Sequence, residues 1–142
     1  MRLEGRCNCG ACRFAATPDG MEAGACHCSI CRKRTGGINM AVGCSDVVWN
    51  ADAPLKFYRS SAWAERVFCG ECGTNLYWHA VDGAPSAQVL ALMAFDTPDV
   101  FAVTREIFVD EKLGSYALAG IAVSLTGAEM RARFAAHAEG MQ

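Results

Sequence analysis

Nine cysteines in 142 residues constrain this chain more than any other feature, because they fall in tight groups. Cys7, Cys9 and Cys12 form one C-x-C-x-x-C cluster, and Cys26, Cys28 and Cys31 form a second. Cys69 and Cys72 make a C-x-x-C pair followed by Gly73, and Cys44 stands alone. A disulfide framework would require an oxidising compartment, yet Met1-Arg2-Leu3-Glu4-Gly5-Arg6 has no apolar stretch of the kind a secretory signal needs. An odd count would also leave one thiol unpaired. Cysteines this close together rarely bridge one another, but they suit two thiolates converging on one tetrahedral ion. Zinc is therefore the expected cofactor. A closed structural zinc draws four ligands from two knuckles distant in sequence, so that the ion clips the fold together. The Cys69-Gly70-Glu71-Cys72-Gly73 knuckle has four candidate partners, Cys7/Cys9, Cys9/Cys12, Cys26/Cys28 and Cys28/Cys31, and spacing alone leaves all four open.

Composition narrows the class further. Hydrophobic residues make up 52% and charged residues 20%, which is enough apolar side chain for one core and too much for a disordered chain. A single domain over residues 1–142 is expected. Thirteen Lys and Arg against fifteen Asp and Glu leave a net charge of −2, which gives no general attraction to nucleic acid or to an anionic membrane. The longest apolar runs, Val89 to Phe95 and Ala117 to Val123, fall well short of the roughly 20 residues a bilayer span needs. A cytoplasmic protein with neither nucleic-acid nor membrane partner is the expectation. The sequence contains no dinucleotide-binding, P-loop or nucleophile-elbow motif.

Local patterning reads as β-rich. Arg13 to Ala16 is a short strand closed by Thr17-Pro18-Asp19-Gly20, where Pro fixes φ and Gly frees it. Ile38 to Cys44 and Val47 to Trp49 read as two strands, and Leu55 to Arg59 alternates imperfectly, as a half-buried strand does. Leu76 to Val81 continues from the last knuckle and turns at Asp82-Gly83, a hairpin signal. Gln88 to Phe95 is its return strand, apolar enough to be buried on both faces, and Ile107 to Val109 is another strand. Near the end, Thr126-Gly127-Ala128-Glu129 fits a capping box. It opens a helix over about 127–139 whose apolar stripe is Met130, Phe134 and Ala138.

Four stretches together resemble the glutathione-dependent formaldehyde-activating enzyme family, also called the GFA or centromere-protein-V (CENP-V) domain family. They are Gly5-Arg6-Cys7-Asn8-Cys9-Gly10-Ala11, the run Cys26-His27-Cys28-Ser29-Ile30-Cys31-Arg32-Lys33-Arg34-Thr35-Gly36, the run Phe68-Cys69-Gly70-Glu71-Cys72-Gly73-Thr74-Asn75-Leu76, and the weaker Arg105 to Lys112. They occur in the family's order and span about residues 5–112. The resemblance implies a mainly β, zinc-bound, β-tent-like domain of short antiparallel sheets pinned by cysteine knuckles. It implies that Cys7, Cys9, Cys69 and Cys72 hold a structural zinc, while Cys26, Cys28 and Cys31 hold a second zinc through three thiolates. Two departures stand out. Cys12 occupies a position that is more often aliphatic in the family, as a spare thiol or alternative ligand, and Leu113-Gly114-Ser115-Tyr116 replaces a Pro-Trp pair common nearby.

A zinc with four thiolates has no vacant position and holds a fold; one with three keeps a position for water or substrate, the mark of a catalytic site. Three thiolates make the ion electron-rich, a weak acidifier of water but a good seat for an incoming thiolate. The resemblance accordingly implies a carbon–sulfur lyase resembling S-(hydroxymethyl)glutathione synthase, with a glutathione-like thiol and formaldehyde or a related small aldehyde as partners. The alternative is a non-enzymatic zinc module that binds a small ligand or a protein. Arg32 and Lys33, in the basic run after Cys31, are the candidate substrate contacts, set against a solvated charged turn. His27 lies between two ligands as a fourth ligand or an acid/base group, but adjacent side chains in such a segment point opposite ways, which favours a structural role. Cys44 reads as a small buried hydrophobe, and His79 as a core or sheet-surface histidine. Trp63, Trp78 and Tyr58 read as packing. Lys112 reads as a surface lysine, and Asp110 and Glu111 carry no sign of a paired-carboxylate system.

Overall fold

The computed structural model of the chain describes residues 1–140, with side chains as far as Ala135. The fold is mainly β with a C-terminal helix. In order it comprises β1 (Leu3–Arg6), β2 (Arg13–Pro18), β3 (Glu22–Cys26), α1 (Ser29–Thr35), β4 (Asn39–Trp49), β5 (Leu55–Arg59), β6 (Ala64–Cys69), β7 (Asn75–Ala80), β8 (Gln88–Ala91), β9 (Ala102–Ile107), β10 (Val123–Leu125) and α2 (Gly127–Gly140). The chain packs as two units, one of Met1–Ala23 with Met40–Ala102, the other of Gly24–Asn39 with Val103 onward.

In the first unit the strands run antiparallel in the order β4, β8, β7, β6, β5, and β2 joins β4 to β1. The two strands expected at 38–44 and 47–49 are one strand, β4, which pairs with β8 through Ala41–Cys44 and with β2 through Cys44–Trp49. Its break is a bulge: Ala15 pairs with Val48 but Thr17 pairs with Ser45, so two residues face one. Asp46 takes the left-handed conformation there, φ 55°, which a short polar side chain tolerates, and Arg2 holds its carboxylate at 2.9 Å. β5 is more exposed than its pattern suggests, with Phe57 and Tyr58 both open to solvent, because it is an edge strand paired only with β6. The return strand β8 is shorter than expected. It alternates buried and half-buried residues, and Leu92–Ala94 turns as 3-10 helix.

The core of this unit is an aromatic chain. Phe14 sits 5.1 Å from both Trp49 and Phe95, Phe95 lies 5.0 Å from Phe101, and Trp49 stacks on Tyr77 at 5.6 Å. Such pairs add about 0.5–1.5 kcal/mol each beyond their buried area. Leu76, Leu90, Val42 and Val67 fill the space around it. Gly5 passes so close to this core that a Cβ would lie 2.3 Å from the Ala94 carbonyl oxygen and from the Phe14 ring.

In the second unit β9 lies between β3 and β10, and β10 runs parallel to it. The helix α1, absent from the sequence reading, begins at the second cysteine cluster, with Cys28 as its N-cap. Phe108, left-handed at φ 56°, ends β9, and Val109–Glu111 forms a 3-10 turn. The two carboxylates of that turn serve helix starts: Asp110 accepts the Gly127 N–H at 2.7 Å and Glu111 accepts the Ser29 N–H at 3.1 Å. The capping box forms as expected, with Glu129 N–H donating to Thr126 Oγ1 at 3.1 Å and Thr126 N–H to Glu129 Oε1 at 3.2 Å. Of the expected stripe, Met130 is half-buried and Phe134 exposed; the side chain of Ala138 lies outside the described residues.

Candidate metal centre

Among the described residues, seven of the nine cysteines fall into two convergent groups. Cys7, Cys9, Cys69 and Cys72 form one, in the first unit, and Cys26, Cys28 and Cys31 form the other, in the second; within each group the sulfurs all lie within 4.8 Å of one another. A tetrahedral zinc with bonds of about 2.3 Å separates its sulfurs by about 3.8 Å. The Cys7 and Cys9 sulfurs are 3.6 Å apart and those of Cys9 and Cys69 are 3.9 Å apart, so the donor set fits such an ion.

The four-sulfur group is built from two knuckles at strand ends. After β1, the main chain of Cys7 and Cys12 closes a loop, and Cys12 N–H donates to Cys7 Sγ at 3.3 Å. After β6, the N–H groups of Glu71 and Cys72 both donate to Cys69 Sγ at 3.4 Å. Gly73, at φ +79°, returns the chain into β7. Thr74 ties the knuckles together: its hydroxyl accepts the Asn8 N–H at 3.1 Å and meets Cys72 Sγ at 3.1 Å. Burial pushes Cys7 up, but the Cys12 N–H and the Cys9 and Cys69 thiols outweigh it, and its pKa ends below the ordinary value. Thr74, through hydroxyl and main chain, lowers Cys72 to about 5. At Cys9 the Ala11 N–H pulls downward, yet desolvation and the sulfurs of Cys7, Cys72 and Cys69 push it up to about 12. Sulfurs this close cannot all be thiolates unless a cation joins them.

In the three-sulfur group, Cys26 closes β3, Cys28 caps α1 and Cys31 lies in its first turn. Cys28 Sγ accepts the Cys31 N–H at 3.4 Å, and Asn39 Nδ2 donates to Cys31 Sγ at 3.7 Å. Donation from the Cys26 and Cys31 thiols lowers Cys28 to about 2, while the Cys28 and Cys31 sulfurs, then burial, drive Cys26 far upward. No fourth Cys, His, Asp or Glu joins this group among the described residues.

His27 is wholly buried and stands outside the three-sulfur group. Its Nε2 lies 3.0 Å from Glu106 Oε1 and its Nδ1 3.3 Å from the Tyr116 hydroxyl. Neither ring nitrogen remains for a metal. Arg32 is bound through Nε to the His27 carbonyl at 3.0 Å, whereas Lys33 is exposed. Cys12 is buried beside Cys7 but outside the group, and burial, with the sulfurs of Cys69 and Cys7, pushes it up to about 12. Cys44 is buried within β4, not at a strand end, and burial plus the charge of Asp19 raises it to about 12. His79 pairs across strands with Glu65 at 3.0 Å, and Trp63 packs edge-on to Trp78. Tyr58 is exposed. The Lys112 ammonium donates to the carbonyl of Tyr116 and lies over its ring.

Sequence reasoning missed Glu106 and Tyr116 because nothing local marks them. The sequence reading places the strand at Ile107 to Val109, outside Glu106; in the structure Glu106 is buried in β9 between half-buried or exposed neighbours, and a buried carboxylate requires partners.

Comparison with known proteins agrees. The family model described as glutathione-dependent formaldehyde-activating enzyme matches residues 2–111. An uncharacterized lyase of Schizosaccharomyces pombe is 29% identical over 114 residues, 80% of this chain and 82% of that protein. A Halomonas elongata protein, provisionally named as a glutathione-dependent formaldehyde-activating enzyme, is 34% identical over 87 residues, 54% of this chain and 55% of that one. A crystal structure of a Rhodobacter sphaeroides protein shares the fold, with a TM-score of 0.56 at 21% identity over 87% of this chain and 100% of that one. With its cysteine motifs inside the matched span, the chain belongs to the glutathione-dependent formaldehyde-activating enzyme family.

Proposed function

We propose that this chain is a zinc-dependent carbon–sulfur lyase that joins a glutathione-like thiol to formaldehyde or a related small aldehyde at Cys26, Cys28 and Cys31. The observation that carries the reading is the inequality of the two sulfur groups, four donors in one and three in the other. Four donors complete a tetrahedron, whereas three leave one position free. A zinc held by three thiolates supplies an electron-rich Lewis acid whose remaining position suits an incoming thiol as its thiolate. In the reaction the thiol sulfur bonds to the carbonyl carbon, the carbonyl π pair moves to oxygen, and the thiol proton ends on that oxygen. The product is an S-hydroxymethyl adduct, and the reverse step releases both partners.

In this reading Cys7, Cys9, Cys69 and Cys72 hold the fold, and all residues from 1 to 142 serve one family domain. Lys33, exposed in the last turn of α1, is the cation that meets a carboxylate of the thiol. Arg32 has its Nε committed to the His27 carbonyl and acts on the site through that contact.

The test begins with metal content. Two zinc ions per chain are expected, and cobalt in the three-sulfur site should change its visible absorption when glutathione is added. Formaldehyde and glutathione together should then be consumed faster than in the spontaneous reaction. A single bound metal, or a cobalt spectrum indifferent to thiol, would turn the chain into a binding module.

A further inference from the structure

His27 is the one residue between the first two sulfurs of the open site, and every polar group it has is engaged. Its N–H donates to the Ile107 carbonyl at 3.1 Å, and its carbonyl accepts Arg32 Nε at 3.0 Å. Its ring meets Glu106 on one side and Tyr116 on the other, at 3.0 and 3.3 Å. The other oxygen of Glu106 accepts the Ser124 hydroxyl from the adjacent strand at 3.4 Å. Assigning Glu106 as the acceptor of both contacts puts the ring proton on Nε2. Nδ1 then presents its lone pair, and the Tyr116 O–H donates to it. The contacts come from β9, from β10 behind it, from the loop after Lys112 and from α1, all within the second unit.

A buried side chain tied at both ring nitrogens has one rotamer and one tautomer. Cys26 and Cys28 are its covalent neighbours, so the direction of their Cα–Cβ bonds follows from how the His27 peptide units are held. An unanchored C-x-C segment would sample several dispositions of two sulfurs, and each metal-binding event would have to select one. We infer that His27 is the positioning residue of the three-sulfur site, held by the carboxylate of Glu106 and the hydroxyl of Tyr116, and that this brace sets how tightly the site takes a metal.

The inference deepens the proposed function in one respect: it takes the three sulfurs to be a metal site. Cobalt(II) binding to the zinc-depleted full chain tests it without turnover, because the ligand-field spectrum reports the three-sulfur and four-sulfur sites separately. Glu106→Ala should weaken cobalt at the three-sulfur site by about 10- to 100-fold, the range usual for loss of a group that orients a metal ligand, and leave the four-sulfur site at wild-type affinity. Glu106→Gln keeps an oxygen to accept Nε2–H and should restore affinity to within about twofold of wild type. Tyr116→Phe removes one hydroxyl from a half-buried ring and should fall between them. Should Glu106→Ala fail to fold, Tyr116→Phe against Glu106→Gln decides.

Wild-type affinity and spectrum in Glu106→Ala and Tyr116→Phe alike would overturn the inference, as would equal weakening of both metal sites. If the brace variants loosen cobalt while no thiol–aldehyde activity is found, the proposed function fails and the brace stands. If activity is found and the variants bind as wild type, the reverse holds.

Discussion

At the scale of single residues, the two sulfur groups predict unequal damage from the same chemical change. Cys69 receives two main-chain N–H bonds and belongs to the closed set. Structural zinc contributes folding free energy of order 10 kcal/mol, comparable with the whole margin of a typical domain. Cys69→Ser should therefore be insoluble or unfolded at room temperature. Cys28→Ser should stay folded, lose one metal per chain and lose thiol-dependent activity; melting curves with metal analysis of both variants check this. Two glycines make a similar contrast. Gly73 has φ +79° and open space around it, so Gly73→Ala should cost only the left-handed penalty, about 1–2 kcal/mol. Gly5→Ala drives a methyl into the Ala94 carbonyl and the Phe14 ring, and should cost about 3 kcal/mol or prevent folding. Urea midpoints would rank the two, and the reverse order would contradict the packing described for Gly5.

At the scale of elements, helix starts gather much of the proposed site and its supporting carboxylates. The start of α1 carries two of the three converging sulfurs: Cys28 caps it, Cys31 lies in its first turn, and Glu111 accepts the Ser29 N–H. Helix α2 begins with a capping box and with Asp110 on the Gly127 N–H. Thr126→Ala should cost about 1 kcal/mol. Because residues 131–135 of α2 are exposed, that loss should appear as faster amide exchange in its first turn, with little change at β6 or β7. The strands show where patterning succeeds. β5, β7 and the cap were legible because their signals lie within a few residues. The junction inside β4 was not, since a bulge looks in sequence like a break between two strands. Helix α1 was hidden because its seven residues are mostly charged or sulfur-bearing and show no apolar period.

At the scale of the whole molecule, the proposed function requires two metals that leave in order. A chelator titrated into the protein should first remove one metal with secondary structure unchanged, then a second together with cooperative unfolding. Circular dichroism alongside metal release would display the two steps, and a single concerted loss would contradict the division between the groups. Among the described residues no helix is long and apolar enough to cross a membrane.

The sequence by itself determined which side chains can take up metal, since the spacing of thiols within a knuckle is a local, nearly covalent property. By resemblance it also implied how the seven cysteines divide. Spacing had left four partners open for the Cys69 knuckle, and only the tertiary structure brought Cys9 beside Cys69 across 60 residues. Likewise only the fold revealed that His27 meets Glu106, 79 residues away, through one ring nitrogen and Tyr116 through the other, and stands outside the three-sulfur group. Long-range contacts of this kind follow from strand pairing and burial. Those are summed over the whole chain, and no short stretch of sequence contains the sum.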